Sequence, residues 1–109
     1  MASMDRDIDP QDVPRELKEK VKALALKAYR ILDCRGAVRF DFLVENENNN
    51  LYFNEVNTLP GSLAYYLWEK ADPPMTFTEL LTHTVEQALQ EHNQTKASQR
   101  QMQRKIFQE

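Results

Sequence analysis

Glycine, cysteine and histidine are scarce in this chain: two, one and two residues among 109. With only Gly36 and Gly61, there is no Gly-rich loop to cradle phosphates. The single cysteine, Cys34, excludes an intramolecular disulfide, and no neighbouring base marks it as a nucleophile. His83 and His92 lie apart and form no zinc cluster with it. No apolar run reaches membrane-spanning length and no signal-peptide pattern opens the chain, so no membrane role is expected and the cytoplasm is the default. A net charge of −3 gives no basic surface for nucleic acid.

What is present centres on residues 36–62. Gly36-Ala-Val-Arg-Phe-Asp-Phe-Leu-Val44 and Leu51-Tyr-Phe-Asn-Glu-Val-Asn57 are β-branched and aromatic runs flanking the polar stretch Glu45–Asn50. That pattern reads as an antiparallel hairpin. Alternation places Val38, Phe40, Phe42 and Val44 on one face, with Arg39, Asp41 and Leu43 on the other. In the second run Leu51, Phe53, Glu55 and Asn57 share a face. A loop centred near Asn48 sets Asp41 opposite Glu55 and Arg39 opposite Asn57. Two bare carboxylates so placed would repel, because opposed Cβ atoms are only about 4.5–5.5 Å apart. A cation reverses the sign, and Asp, Glu and Asn oxygens suit a hard ion such as Mg²⁺. A solvated sheet face is the plain alternative. Against it, Leu43, Leu51 and Phe53 continue the polar face, and the second strand runs into the rigid turn Asn57-Thr-Leu-Pro-Gly-Ser62.

Around the hairpin the expected elements are helical. Asp12, Pro14 and Glu16 form a helix start, and Leu17, Val21, Leu24, Ala28 and Ile31 recur at helical spacing. A helix over about 14–32 should pack on Val38, Phe40 and Phe42. Ser62 is expected to cap a short helix through Tyr65, Tyr66 and Trp68, aromatics that suit either a core or a substrate wall. The Ala71-Asp-Pro-Pro74 break precedes a second long helix, capped by Thr76 or Thr78 and spanning about 78–90. The chain therefore reads as α+β: an antiparallel β-hairpin with flanking helices, residues 13–91. Residues 1–12 read as a disordered or vector-derived leader, and residues 92–109 as a polar, basic, solvated tail, with a frayed helical extension or a partner-binding helix through Met102, Ile106 and Phe107 as the alternatives.

Gly36-x-x-Arg39-x-Asp41, followed by Asn54-Glu55-Val56-Asn57-Thr58-x-Pro60-Gly61, resembles the carboxy-terminal end of D-alanine-D-alanine ligases of the ATP-grasp superfamily. Glu-x-Asn alone is a general ATP-grasp feature; the Asn-Thr-x-Pro-Gly continuation narrows it to this branch. The resemblance covers about residues 8–91 and implies the C-terminal portion of an ATP-grasp domain. It implies ATP and Mg²⁺ (or Mn²⁺) as cofactors and D-alanine as substrate, in peptidoglycan precursor synthesis. Asp41, Glu55 and Asn57 would be metal ligands, Glu55 and Asn57 serving the bound nucleotide as well. Arg39 and the Gly61 N–H would be the catalytic donors to an oxyanion. Gly61, Ser62, Tyr66 and Leu67 would contact substrate. Tyr66 and Leu67 stand where a close family pattern has Ser-Leu, and Tyr66 departs from it.

The amino-terminal substrate domain, the central ATP-grasp strands and a phosphate-covering loop do not fit upstream of Pro14. The chain is thus expected to carry the metal and oxyanion half of a site and to be inactive alone. An open sheet edge and an incomplete core predict self-association by strand pairing or domain swapping. Two other readings stand beside this one: a non-catalytic truncated folding or interaction module, and a related ATP-grasp dipeptide or D-alanine-D-lactate ligase.

Overall fold

The computed structural model describes residues 6–108. The expected leader lies partly outside this range. The order is α1 (Arg15–Ile31), β1 (Arg39–Val44), β2 (Leu51–Asn57), a 3₁₀ turn (Gly61–Ala64), α2 (Tyr65–Trp68) and α3 (Phe77–Phe107). This is the α+β arrangement expected, with one two-stranded antiparallel sheet.

Helix α1 starts after Pro14 rather than at a side-chain cap on Asp12: the Pro14 carbonyl accepts from the Leu17 and Lys18 N–H groups at 3.0 and 3.1 Å. Glu16 in its first turn and Arg30 in its last oppose the helix dipole with the favourable signs. The helix closes through Asp33 in the left-handed region, and Gly36 (φ +64°) then turns the chain into β1. The Tyr29 hydroxyl donates to the Gly36 carbonyl at 3.0 Å, tying the helix end to that turn.

The hairpin closes over Glu45–Asn50. Glu45 N–H donates to the Asn50 carbonyl, and Asn50 Nδ2 donates to the Glu45 carboxylate at 2.8 Å. Asn49 adopts φ +52°, which asparagine tolerates. Arg39 pairs with Asn57 and Asp41 with Glu55, in the anticipated register. Beyond that point the register shifts: Phe42 pairs with Phe53, Leu43 with Tyr52 and Val44 with Leu51. Asn54 is the extra residue, a β-bulge that turns the rest of β2 over. Phe53 and Leu51 therefore join the Phe40/Phe42 face instead of continuing the polar one. Phe53 packs against both rings, with centroids 5.9 Å from Phe40 and 5.6 Å from Phe42. Leu43 and Tyr52 continue the polar face in their place.

The expected core between α1 and Val38, Phe40 and Phe42 does not close. No α1 residue is buried, and Ile31 is 71 % exposed. The physical reason is width: a two-stranded ribbon, with strands about 4.8 Å apart, covers too little of a helix. The buried hydrophobics, Ala64 and Leu80, sit instead where the 3₁₀ turn and α2 meet α3. Tyr65 and Phe77 pack there at 5.2 Å, and the Met75 N–H donates to the Trp68 carbonyl across the 71–74 break. The radius of gyration is 18.9 Å, with a long axis of 64 Å. A compact domain of this length would give about 13 Å.

Two helical expectations change. Ser62 caps nothing: Ser62, Leu63 and Ala64 all have positive φ (50°, 55° and 52°), and α2 starts from the left-handed Ala64 without a side-chain cap. Helix α3 does not stop near Gln90 but continues to Phe107. Its start is the expected capping box. Thr76 Oγ1 accepts from the Glu79 N–H at 3.2 Å, while the Glu79 carboxylate accepts from the Thr76 N–H at 2.8 Å. No glycine or proline lies beyond Pro74, so nothing in the backbone ends the helix at 90.

Candidate functional site

The first two residues of interest stand two apart on β1, which puts both on one face of the strand. Arg39 Nε donates to Asp41 Oδ1 at 2.9 Å and Nη2 donates to Oδ2 at 3.2 Å, a two-pronged ion pair. Both side chains are about one-third exposed, 34 % and 35 %. The Asp41 hydrogen bonds and charge hold the Arg39 guanidinium above its usual pKa, with smaller contributions from Tyr66 and Glu55. The carboxylate repulsion anticipated between Asp41 and Glu55 is thus relieved from within the hairpin, by Arg39. Nη1 is the guanidinium nitrogen that Asp41 does not use.

Across the ladder, Glu55 faces Asp41 and makes no ion pair among the described residues. Asn57, opposite Arg39, accepts the Leu59 N–H on its Oδ1 at 3.1 Å. That local turn orients the side chain and starts the Thr58–Pro60 corner. The four polar residues are therefore brought together at one end of the hairpin. Among the described residues, no three His, Cys, Asp or Glu side chains gather as a metal cluster. Asp41 and Glu55 are two acidic donors, and Asn57 would have to complete the set. All three offer oxygen, which suits a hard divalent cation.

Beside this pair, a cleft of about 190 Å³ is lined by Ala37, Val38, Arg39, Pro60, Leu63, Ala64, Leu67 and Trp68. It joins β1 to the left-handed turn and α2. Leu67 lies in it, whereas Gly61 and Ser62 are exposed and do not line it. Tyr66 is half-buried, close enough to add to the field at Arg39. Arg6 also stacks over the Tyr66 ring at 5.4 Å from its centroid. Sequence reasoning missed Arg6, since nothing in the chain pairs position 6 with position 66. It also missed the cleft walls Val38 and Leu63; their signal was adjacency to Arg39 and to the Pro-Gly turn.

Comparison with known proteins places this sequence in a family. The family model described as D-ala D-ala ligase C-terminus matches residues 5–86. The chain is 39 % identical over 98 residues to a D-alanine--D-alanine ligase of Solibacter usitatus, covering 86 % of this chain and 30 % of that protein. It is 39 % identical over 88 residues to one from Acetivibrio thermocellus, covering 77 % and 23 %. It is 42 % identical over 86 residues to one from Deinococcus radiodurans, covering 75 % and 25 %. The chain thus spans less than a third of the length of these relatives. No solved structure matches it. Matched over residues 5–86, through the hairpin, the Pro-Gly turn and the α3 start, the chain belongs to the D-ala D-ala ligase C-terminus family.

Proposed function

We propose that this chain is the C-terminal part of a cytoplasmic, ATP-dependent ligase joining two D-alanines, and that it carries the metal and oxyanion half of the site. The observation that supports this most is the ladder itself. Arg39 faces Asn57 and Asp41 faces Glu55 at the hairpin end that runs into Pro60-Gly61.

In that reaction the γ-phosphoryl group of ATP passes to the carboxylate of one D-alanine, giving an acyl phosphate and ADP. The amine of a second D-alanine then attacks the acyl carbon. A tetrahedral oxyanion forms, phosphate leaves with its bonding electron pair, and the amine loses a proton. Asp41, Glu55 and Asn57 would hold Mg²⁺ or Mn²⁺, whose contribution when bound is to offset charge on the transferring phosphoryl oxygens. Arg39, kept protonated and aimed by Asp41, supplies a charged donor to the oxyanion, where such a donor is strongest. The Gly61 N–H is the second donor. Tyr66 and Leu67 form the substrate wall with Ser62 at its rim, and Arg39 and Leu67 share the cleft. Residues 13–91 form the partial domain, residues 1–12 a leader and residues 92–109 a basic tail. No side-chain nucleophile is needed. This segment spans less than a third of its relatives' length, and by itself it is inactive.

The test is D-alanyl-D-alanine formation by a complete ligase bearing this segment, and by the segment alone. The complete enzyme should turn over, and its Glu55→Gln variant should not; the segment alone should give no product. Full turnover by the Glu55→Gln enzyme would remove the metal assignment. Product from the segment alone would remove the half-site reading.

A further inference from the structure

Residues 6–12 do more than lead into α1. Ile8 and Pro10 are half-buried, whereas Asp7 and Asp9 are exposed, so this stretch lies along the body of the chain as a strap. Contacts at both of its ends pin it. Lys18 Nζ of α1 donates to Asp9 Oδ1 at 2.8 Å. Gln11 Nε2 donates to the Asp9 carbonyl at 3.0 Å, in a turn where Asp9 is left-handed (φ 58°). At the other end the Arg6 guanidinium stands over the Tyr66 ring, 5.4 Å from its centre. The family match begins at residue 5, so the strap falls within the matched segment.

The backbone beneath Tyr66 does little to fix its ring. Helix α2 has four residues and starts from the left-handed Ala64 without a side-chain cap. Tyr65 meets the Tyr66 ring edge-on at 6.2 Å and is itself packed on Phe77 of α3 at 5.2 Å. Arg6 supplies the second hold, on the face of the ring. A guanidinium suits that place, because it is planar, always charged and weakly hydrated. Tyr66 lies close enough to Arg39 to add to its field, and the adjacent Leu67 shares the cleft with Arg39.

We propose that Arg6 is a positioning residue for the substrate wall: stacked on Tyr66, it holds that ring beside Arg39 and Leu67 and so sets the room left for the second D-alanine. The inference rests on the reading of this chain as part of a D-alanine ligase. Arg6 touches no reacting atom and acts through Tyr66. The oxygen donors Asp41, Glu55 and Asn57 and the cation Arg39 stand on the hairpin, a separate element. A loosened wall therefore weakens binding of the second D-alanine more than it slows the chemistry.

Steady-state kinetics of a complete ligase bearing this segment tests it. Arg6→Ala should raise KM for the second D-alanine about 2- to 5-fold, the usual worth of a cation over an exposed ring, and kcat should move less. Arg6→Lys keeps a cation over the ring and should recover most of that loss. In a Tyr66→Leu background, Arg6→Ala should have no further effect. An unchanged KM in Arg6→Ala overturns the proposal, as does failure of Arg6→Lys to recover it. An equal loss in the Tyr66→Leu background also overturns it, because Arg6 would then act without Tyr66. A wild-type ligase that makes no D-alanyl-D-alanine overturns the reading of the site, and this role with it. Near-ultraviolet circular dichroism of the 109-residue chain reports the contact without catalysis. The signal that Tyr66→Leu removes should weaken in Arg6→Ala; a signal that Arg6→Ala leaves unmoved overturns the proposal whatever the kinetics.

Discussion

Arg39 and Asp41 grip each other through two hydrogen bonds, 2.9 and 3.2 Å long, while sitting two residues apart on one strand. The geometry needs the planar guanidinium fork, which a lysine cannot reproduce. In a complete ligase, Arg39→Lys should lower kcat by about 10²–10³-fold, the usual loss when an oxyanion donor is removed. KM for D-alanine should move much less. Steady-state kinetics on the two enzymes checks this, and an unchanged kcat would take Arg39 out of the oxyanion role.

The start of α3 should show a pH signature. The Thr76 N–H and hydroxyl hold the Glu79 carboxyl below its ordinary pKa. A depressed folded value means the cap is at full strength above the unfolded pKa, about 4.3, and fades as pH falls through the folded value. Helical circular dichroism should therefore drop at acid pH in the wild type. In Thr76→Ala that drop should shrink, and the helix should lose about 1 kcal/mol at neutral pH, the usual worth of an N-cap.

The two glycines should respond differently to alanine. Gly36 has φ +64°, and a Cβ there would sit 3.7 Å from Thr84 Cγ2, an ordinary contact. Space is therefore available and strain alone is the cost, about 1–2 kcal/mol for a left-handed L-residue. Gly61 has no positive φ and nothing within 4 Å of a Cβ. Gly61→Ala should leave stability within about 0.5 kcal/mol, as for other surface substitutions. Urea titration of both variants decides; equal losses would refute the contrast.

Ser62 is exposed and left-handed at φ 50°. Glycine there removes about 1–2 kcal/mol of strain and returns about 0.4–1 kcal/mol of unfolded-chain entropy. Ser62→Gly should thus stabilise the fold by up to about 1.6 kcal/mol, read as a higher midpoint in urea. A lower midpoint would mean that the left-handed turn carries little strain.

Much of the fold was legible because its signals are local. The hairpin, the Asp41–Glu55 opposition, the Thr76 capping box and the α1 limits (to within a residue) follow from alternation, helical spacing and capping chemistry. The bulge at Asn54 was not legible. One surplus residue in a strand leaves no mark on composition, yet it moved Leu51 and Phe53 to the other face. The end of α3 was misplaced for the opposite reason: polar composition suggested a tail, while the backbone had no glycine or proline to stop it.

By itself the sequence determined which groups can do chemistry: oxygen donors at 41, 55 and 57, one fixed cation at 39, and a Pro-Gly corner beside them. Those are matters of residue type and of a period-two repeat, and they need no neighbours. Tertiary structure decided what those groups do in this chain. It turned Arg39 onto Asp41, set Arg6 over Tyr66, and drove Ser62–Ala64 left-handed to form the cleft with Leu67. It also left the α1 stripe and the Phe face only half-buried, because burial depends on how much surface is at hand to meet an apolar side chain, and a two-stranded sheet has too little.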